Sequence, residues 1–185
     1  IRDAFNAFAS GYDAQRDYII PDLQAIYRTA VWAAESTREA PDILDIGAGT
    51  GLLSAFMIQK FPDASFTLMD IAENMLEVAK KRFEGQERIC YVVSDYSRTD
   101  IGGPYDIVCS ALSIHHLGTE EKRRLFCRIF STLRDGGMFI NADQADGETP
   151  YFRRRYLAYW NEFLKNGPLP ASGRAEILRR RDTLD

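Results

Sequence analysis

Residues 43–54 read Ile-Leu-Asp-Ile-Gly-Ala-Gly-Thr-Gly-Leu-Leu-Ser, a short apolar run, an acid, a Gly-x-Gly-x-Gly turn and a helix-forming segment. This order is that of a buried strand passing through a tight loop into a helix. Gly47, Gly49 and Gly51, with Ala48 between the first two, allow backbone conformations closed to other residues, so a ligand can lie against bare main chain. The first N–H groups of the helix that follows are suited to an anion. The dinucleotide-binding fingerprint requires its third glycine one position later, and the Lys-Ser/Thr of a phosphate-binding loop is absent. Asp45 stands at the tip of the strand, which suits a ligand carrying an amino group better than one carrying a pyrophosphate.

The rest of the chain alternates in the same way. Strands are expected at 42–46, 65–70, 88–94, 105–110 and 138–142, and helices at 51–60, 73–84 and 119–133. Phe61-Pro62, Gly85, Gly102-Gly103-Pro104 and Gly136-Gly137 punctuate them. Residues 4–34 read as helical with a break at Pro21, and Thr149-Pro150 opens a helix over roughly 150–165, with another near 172–182. Strands separated by helices predict an α/β fold: a doubly wound, mostly parallel sheet covered on both faces. The glycine loop follows the first strand, which should therefore lie centrally, beside the crevice where strand order reverses.

A chain of 185 residues with 45% hydrophobic content suffices for a single domain with a well-buried core. The formal charge of −4 argues against a general nucleic-acid binder and leaves room for a local basic patch. Cys90, Cys109 and Cys127 are odd in number and widely spaced, which fits reduced thiols in a cytoplasmic protein better than metal ligands or disulfides. No apolar run is long enough to span a membrane, and no secretory signal is visible.

Two more acids stand at strand tips. Asp70 ends the second strand, at the spacing from the glycine turn where a carboxylate accepts hydrogen bonds from ribose hydroxyls. Its alternative role is a helix N-cap. Asp95-Tyr96 follows the third strand, where the acid can accept from an exocyclic amine while the Tyr96 N–H meets a ring nitrogen. The alternative there is a local Asx-turn in Ser94-Asp95-Tyr96-Ser97. His115 and His116 are the only histidines, and both follow the fourth strand. Near-neutral titration makes either a candidate general base, with loop packing as the alternative.

Residues 43–54 resemble motif I of the class I S-adenosylmethionine-dependent methyltransferases. The run Tyr105-Asp106-Ile107-Val108-Cys109-Ser110 with the following Ala-Leu-Ser-Ile-His-His-Leu resembles motif IV, and Leu133-Arg134-Asp135-Gly136-Gly137-Met138-Phe139 resembles the turn before the fifth strand. The likeness spans roughly residues 40–143 and is to small-molecule enzymes of the ubiquinone-biosynthesis and carboxy-S-adenosylmethionine-synthase kinds. It implies S-adenosylmethionine as donor, S-adenosylhomocysteine as product and no metal. It also implies that Gly47, Ala48, Gly49 and Gly51 cradle the methionine portion with Asp45 by its ammonium. Asp70 would then hold the ribose, Ile71 would pack on the adenine, with Met75 joining it or serving as ordinary core, and Asp95 and Tyr96 would read its edge. Ser110 would lie on the donor side, and the acceptor would enter near residues 110–116.

Phe8-Ala9-Ser10-Gly11-Tyr12-Asp13-Ala14-Gln15-Arg16 resembles the Tyr-Asp-x-x-Arg stretch that forms a lid in such enzymes. The resemblance implies that Tyr12 touches donor or acceptor and that Arg16 pairs with the methionine carboxylate; the alternative is an ordinary amphipathic helix with solvated charges. Tyr151, Phe152, Tyr156, Tyr159, Trp160 and Phe163 recur at helical spacing, as core packing or as a roof over the acceptor. Arg153-Arg154-Arg155 and Arg179-Arg180-Arg181 are expected to be solvated, with an anionic acceptor or RNA as alternatives. The family usually ends with two further strands, one antiparallel beside the fifth. Nothing after residue 170 has strand character, so the sequence reads as a fragment, and its start at Ile1 points the same way.

The expected activity is in-line transfer of the sulfonium methyl to a small-molecule acceptor, and a homodimer is compatible with it. The alternatives are a carboxy-S-adenosylmethionine-synthase-like enzyme, a non-catalytic S-adenosylmethionine-binding module and, more distantly, an NAD-dependent oxidoreductase.

Overall fold

The structure is a computed structural model that describes residues 2–184, apart from the side chains at 8, 10, 180 and 182–184. Five apolar segments form strands β1 (Asp42–Ile46), β2 (Ser65–Asp70), β3 (Ile89–Val93), β4 (Tyr105–Ala111) and β5 (Leu133–Ala142). They pair in the order β3-β2-β1-β4-β5, and every pairing is parallel. β1 is central, and chain order reverses between β1 and β4. Sheets of this kind bind ligands at that point, beyond the strands' C-terminal ends.

Alternation along the strands sorts the core into two layers. Ile43, Phe66, Leu68, Ile107 and Cys109 face one side, where they meet the buried stripes of helices α3 (Leu23–Ala33), α4 (Leu52–Lys60) and α5 (Glu73–Arg82). Leu44, Ile46, Met69 and Val108 face the other, against Leu125 and Ile129 of α6 (Thr119–Thr132). Burial on both faces is why β1 reads as an almost continuous apolar run. Asp42 opens it half-buried, and Asp45, its other polar residue, is as buried as its apolar neighbours.

The opposite, N-terminal end of the sheet carries a structural ion cluster. Asp106 accepts the Asp42 N–H at 2.8 Å and pairs with Arg38 at 3.3 Å, while Arg134 reaches Asp42 at 2.9 Å.

Two segments differ from expectation. β5 starts at Leu133 rather than 138, because the glycine pair lies inside an irregularity instead of ending a loop. The five-residue step from Leu133 to Met138 lies opposite the two-residue step from Tyr105 to Ile107, with Gly136 at φ +80°. The N-terminal region divides into three helices rather than two. These are α1 (Arg2–Phe8), α2 (Tyr12–Ile19) and α3, with a 3-10 turn at Ala9–Gly11 between the first pair.

Beyond β5 come α7 (Pro150–Asn166), capped by Thr149 Oγ1 accepting from Phe152 N–H, and α8 (Ala171–Leu184). α7 docks on the end of α2 through Trp160, whose indole N–H donates to the Ile19 carbonyl at 2.8 Å. Among the described residues no helix is long and apolar enough to cross a membrane.

Candidate functional site

At the switch point the glycine loop takes the form its sequence demands. Gly47, Gly49 and Gly51 have φ of +66°, +55° and +77°, a region that side chains disfavour. The N–H groups of Gly47 and Ala48 donate to the Met69 carbonyl at 2.8 and 3.1 Å, so the loop is stitched to the end of β2. The Gly49 N–H donates to Asp70 Oδ2 at 2.8 Å, and Ala72 N–H donates to Asp70 Oδ1 at 2.8 Å. Asp70 therefore shapes the loop and caps the turn before α5 together. Burial pushes its pKa up, and the two backbone donors partly offset that.

A cavity of about 350 Å³ opens over this loop, within the range of small-ligand sites. Its lining includes Asp45, Gly47, Ala48, Gly49, Asp70, Ile71, Met75, Asp95 and Tyr96. α2 closes one part of it with Tyr12 and Arg16, and His116 borders it from the segment after β4. Gly51 lies behind, at the start of α4, where a Cβ would meet the Phe83 ring at 2.6 Å.

Asp45 accepts the Ser54 hydroxyl at 2.6 Å, and burial raises its pKa to about 7. The Ser54 bond lowers the pKa and the charge of Asp70 raises it, both less than burial does. Tyr27, also in the lining, has its pKa pushed up to about 12 by burial, with Arg16 opposing and Asp45 adding to the shift. Arg16 is only 8% exposed although charged. One of its terminal nitrogens meets the Tyr12 hydroxyl, and its guanidinium lies 4.6 Å from the Tyr12 ring centre. Its Nε is buried with no hydrogen-bond partner.

Asp95 makes the Asx-turn that its sequence offers as an alternative. It borders the cavity, and its Oδ1 also accepts from Ser97 N–H at 3.0 Å and Ser97 Oγ at 2.6 Å, the Asx-turn geometry. Tyr96 Oη pairs with Ser113 Oγ at 2.7 Å, and burial lifts its pKa to about 12, so it stays a neutral phenol.

Besides Gly51, two expected site residues lie elsewhere. Ser110 is fully buried in β4 and donates to the Ile46 carbonyl at 2.8 Å, so its hydroxyl is engaged in the sheet rather than at the cavity. His115 is outside the lining. Its Nδ1 lies 2.6 Å from Asp143 Oδ1, and its N–H donates to Asp143 Oδ2 at 2.9 Å. Asp143 thus turns His115 aside, and the His116 ring lies against that of His115, tilted by 49° with ring centres 3.9 Å apart.

The aromatic residues from Tyr151 to Phe163 do not roof this cavity, since α7 and α8 contribute none of the lining. Arg153, Arg154 and Arg155 are exposed, and Arg153 pairs with Asp146. Arg179 pairs with Glu176, Arg181 lies over the Trp160 ring at 5.7 Å, and the Arg180 side chain lies outside the described residues.

Among the lining residues Phe5 and Tyr27 belong to no motif, while Leu112, Ser113 and Leu117 lie in the run that resembles motif IV without a role of their own there. Leu112, at φ +54°, is one signal visible in the backbone alone, because a bulky residue in that region marks a constrained turn. Among the described residues no cluster of His, Cys, Asp and Glu is arranged to hold a metal.

Known proteins resemble this chain in sequence and fold. Residues 43–137 match the family described as Methyltransferase domain. A malonyl-[acyl-carrier protein] O-methyltransferase from Geobacter sulfurreducens is 27% identical over 168 residues, covering 90% of this chain and 61% of that protein. A ubiquinone/menaquinone biosynthesis C-methyltransferase UbiE from Desulfotalea psychrophila is 28% identical over 145 residues, covering 77% of this chain and 57% of its own. The chain thus spans less than two thirds of either relative. The solved structure of N-methyltransferase NodS from Bradyrhizobium japonicum, in complex with S-adenosyl-L-homocysteine, has the same fold. It superposes with a TM-score of 0.66 at 15% identity, covering 89% of this chain and 84% of its own. With the family match spanning the glycine loop and strands β1 to β4, the chain belongs to the class I S-adenosylmethionine-dependent methyltransferases.

Proposed function

We propose that this chain binds S-adenosylmethionine in the cavity over the glycine loop and directs its methyl group to a carboxylate oxygen of a small or carrier-bound acceptor. The observation that carries the donor reading is Arg16, a buried cation at the cavity with an unpartnered Nε. Such a donor is costly unless something accepts from it, and a carboxylate does so in a charge-assisted bond. Asp45 borders the same cavity, so a cation and a carboxylate both face it. That pairing matches the two charges of an α-amino acid end. Asp70 keeps lone pairs beyond its two backbone bonds and can accept ribose hydroxyls. Ile71 and Met75 offer the apolar contact that an adenine ring needs.

When bound, S-adenosylmethionine supplies a methyl group already activated on a cationic sulfur. The chain's own contribution is alignment, which can be worth on the order of 7–11 kcal/mol of a barrier.

The acceptor reading rests on the rest of the lining. Phe5, Leu112 and Leu117 suit an apolar body, and Arg2 and Arg98 suit a negative group. A carboxylate is ionised at neutral pH, so no residue need remove a proton, and His116 then orients the acceptor. The relatives that act on malonyl-[acyl-carrier protein] support this reading. The test is transfer of labelled methyl from S-adenosylmethionine to a malonyl thioester. An alkali-labile methyl ester is the expected product. Methylation of a quinol carbon instead would overturn the carboxylate assignment, and donor binding with no product from either would overturn the transferase reading.

A pH dependence follows from Asp45. The native protein holds a proton there that the unfolded chain has released between pH 3.8 and about 7. This contribution to the stability of the ligand-free protein is fully present below the lower value and is lost as pH rises through the upper one. An ammonium ligand prefers the ionised carboxylate, so affinity should run the other way. Calorimetric titration with S-adenosylhomocysteine should show affinity rising about tenfold from pH 6 to pH 8, with proton release on binding at the lower pH. Asp45→Asn should remove that slope. A slope unchanged in the variant would assign the titration to another group.

A further inference from the structure

α2 is fastened to the glycine loop by one carboxylate that no motif reading assigns a role. Asp13 Oδ1 accepts the Thr50 hydroxyl at 2.6 Å, and Asp13 Oδ2 forms an ion pair with a terminal nitrogen of Arg82. Arg82 closes the triangle, its Nε donating to the Thr50 carbonyl at 2.8 Å. One side chain thus joins three elements: the lid helix α2, the middle of the glycine loop and the last residue of α5. Arg16 sits one turn along the same helix, buried over the cavity with its Nε unpartnered.

We propose that Asp13 is a positioning residue for the donor. Its grip on Thr50 and Arg82 holds α2 closed over the cavity and fixes Arg16 where the donor's carboxylate arrives. This rests on the donor reading given above and adds a mechanism to it. Asp13 itself is outside the cavity lining, so it acts through Arg16 and through the seat of the loop. The latch is half-exposed, with side chains 27% and 32% accessible for Arg82 and Asp13. A bond of that kind opens more readily than a buried one. The donor enters and its product leaves when α2 lifts, and the closed latch sets residence time.

The test is surface plasmon resonance with S-adenosylhomocysteine on the full chain, comparing the parent with Asp13→Ala, Asp13→Asn, Thr50→Val and the Asp13→Ala/Thr50→Val pair. Asp13→Ala should raise the dissociation rate about tenfold with a smaller change in association, the usual kinetic signature of a lost closing contact. Thr50→Val should act in the same direction. The paired variant should lose less than the two single effects combined, because both cut the same link. Asp13→Asn keeps an acceptor for Thr50 while losing the charge for Arg82 and should fall between parent and Asp13→Ala. Hydrogen exchange of the α2 amides should quicken in Asp13→Ala and slow again when ligand is added.

A parent chain that fails to bind would sink the donor reading itself. A binding parent whose Asp13→Ala variant keeps the parental dissociation rate, or whose paired variant is fully additive, would overturn the latch alone. Should Asp13→Ala fold poorly, Asp13→Asn and Thr50→Val carry the same comparison.

Discussion

Asp70→Ala is expected to lose most of the affinity for S-adenosylmethionine while the fold persists. An ionised carboxylate holding two ribose hydroxyls contributes about 1.5–3 kcal/mol per bond, so removing both should weaken binding about 100- to 10,000-fold. Stability should change much less, because two effects oppose. The Gly49 and Ala72 N–H groups lose their acceptor, but a carboxylate whose charge is disfavoured by burial also disappears. A calorimetric Kd beside a urea denaturation midpoint separates the two. Asp70→Asn retains one oxygen and should fall between parent and alanine variant. Loss of stability without loss of affinity would reduce Asp70 to a loop-capping role.

Gly47→Ala should be the most damaging single-methyl change in the loop. At φ +66° a side chain costs about 1–2 kcal/mol in backbone terms alone. A Cβ there would stand 1.9 Å from Ser113 Oγ and 2.4 Å from Ser113 Cβ, closer than atoms can approach, so Ser113 must move. Moving Ser113 disturbs both partners of the buried Tyr96 hydroxyl, Ser113 Oγ at 2.7 Å and the Ser113 carbonyl at 3.2 Å, a further cost of about 1–3 kcal/mol. Together these predict a loss of about 2–5 kcal/mol, or roughly 5–15 °C in melting temperature for a domain of this size. Gly49→Ala is the internal control. Its φ is +55°, but its added Cβ would find only Met75 Cε, at 3.4 Å, so it should cost about 1–2 kcal/mol. Equal losses at both positions would mean that Ser113 yields freely and that the contact between the glycine loop and the β4–α6 segment is loose. Calorimetric melting of both variants checks this.

What could be read from the sequence was what local chemistry determines. Apolar runs closed by Asp45, Asp70 and Asp95 located β1, β2 and β3 to within a residue or so, because a strand buried on both faces has few alternatives. The glycine loop was legible because three positive-φ positions in five residues admit little else. The start of β5 was not. Gly136 and Gly137 carry a turn's composition, but Leu133 pairs with Tyr105 before them, and only the sheet determines that.

Side-chain partners far apart in sequence were equally hidden. His115 and His116 have the same residue type and adjacent positions, yet Asp143, 28 residues on, draws His115 out of the cavity lining. Ser110 appeared to belong to the site because it ends the fourth strand, whereas its hydroxyl is taken by the Ile46 carbonyl across the sheet. The link from Asp13 to Thr50, 37 residues apart, has no local signature at all. Strand-tip acids announce themselves through the strands they end. The residues that hold a lid or exclude a histidine do so through tertiary contacts that no periodicity encodes.

A crystal structure of the chain grown with S-adenosyl-L-homocysteine tests the assignment of this cavity most directly. The expected result is the ligand's carboxylate within hydrogen-bonding distance of Arg16 Nε, its ribose on Asp70 and its adenine against Ile71 and Met75. A ligand bound away from residues 47–51, or bound there with Arg16 Nε still unpartnered, would contradict it.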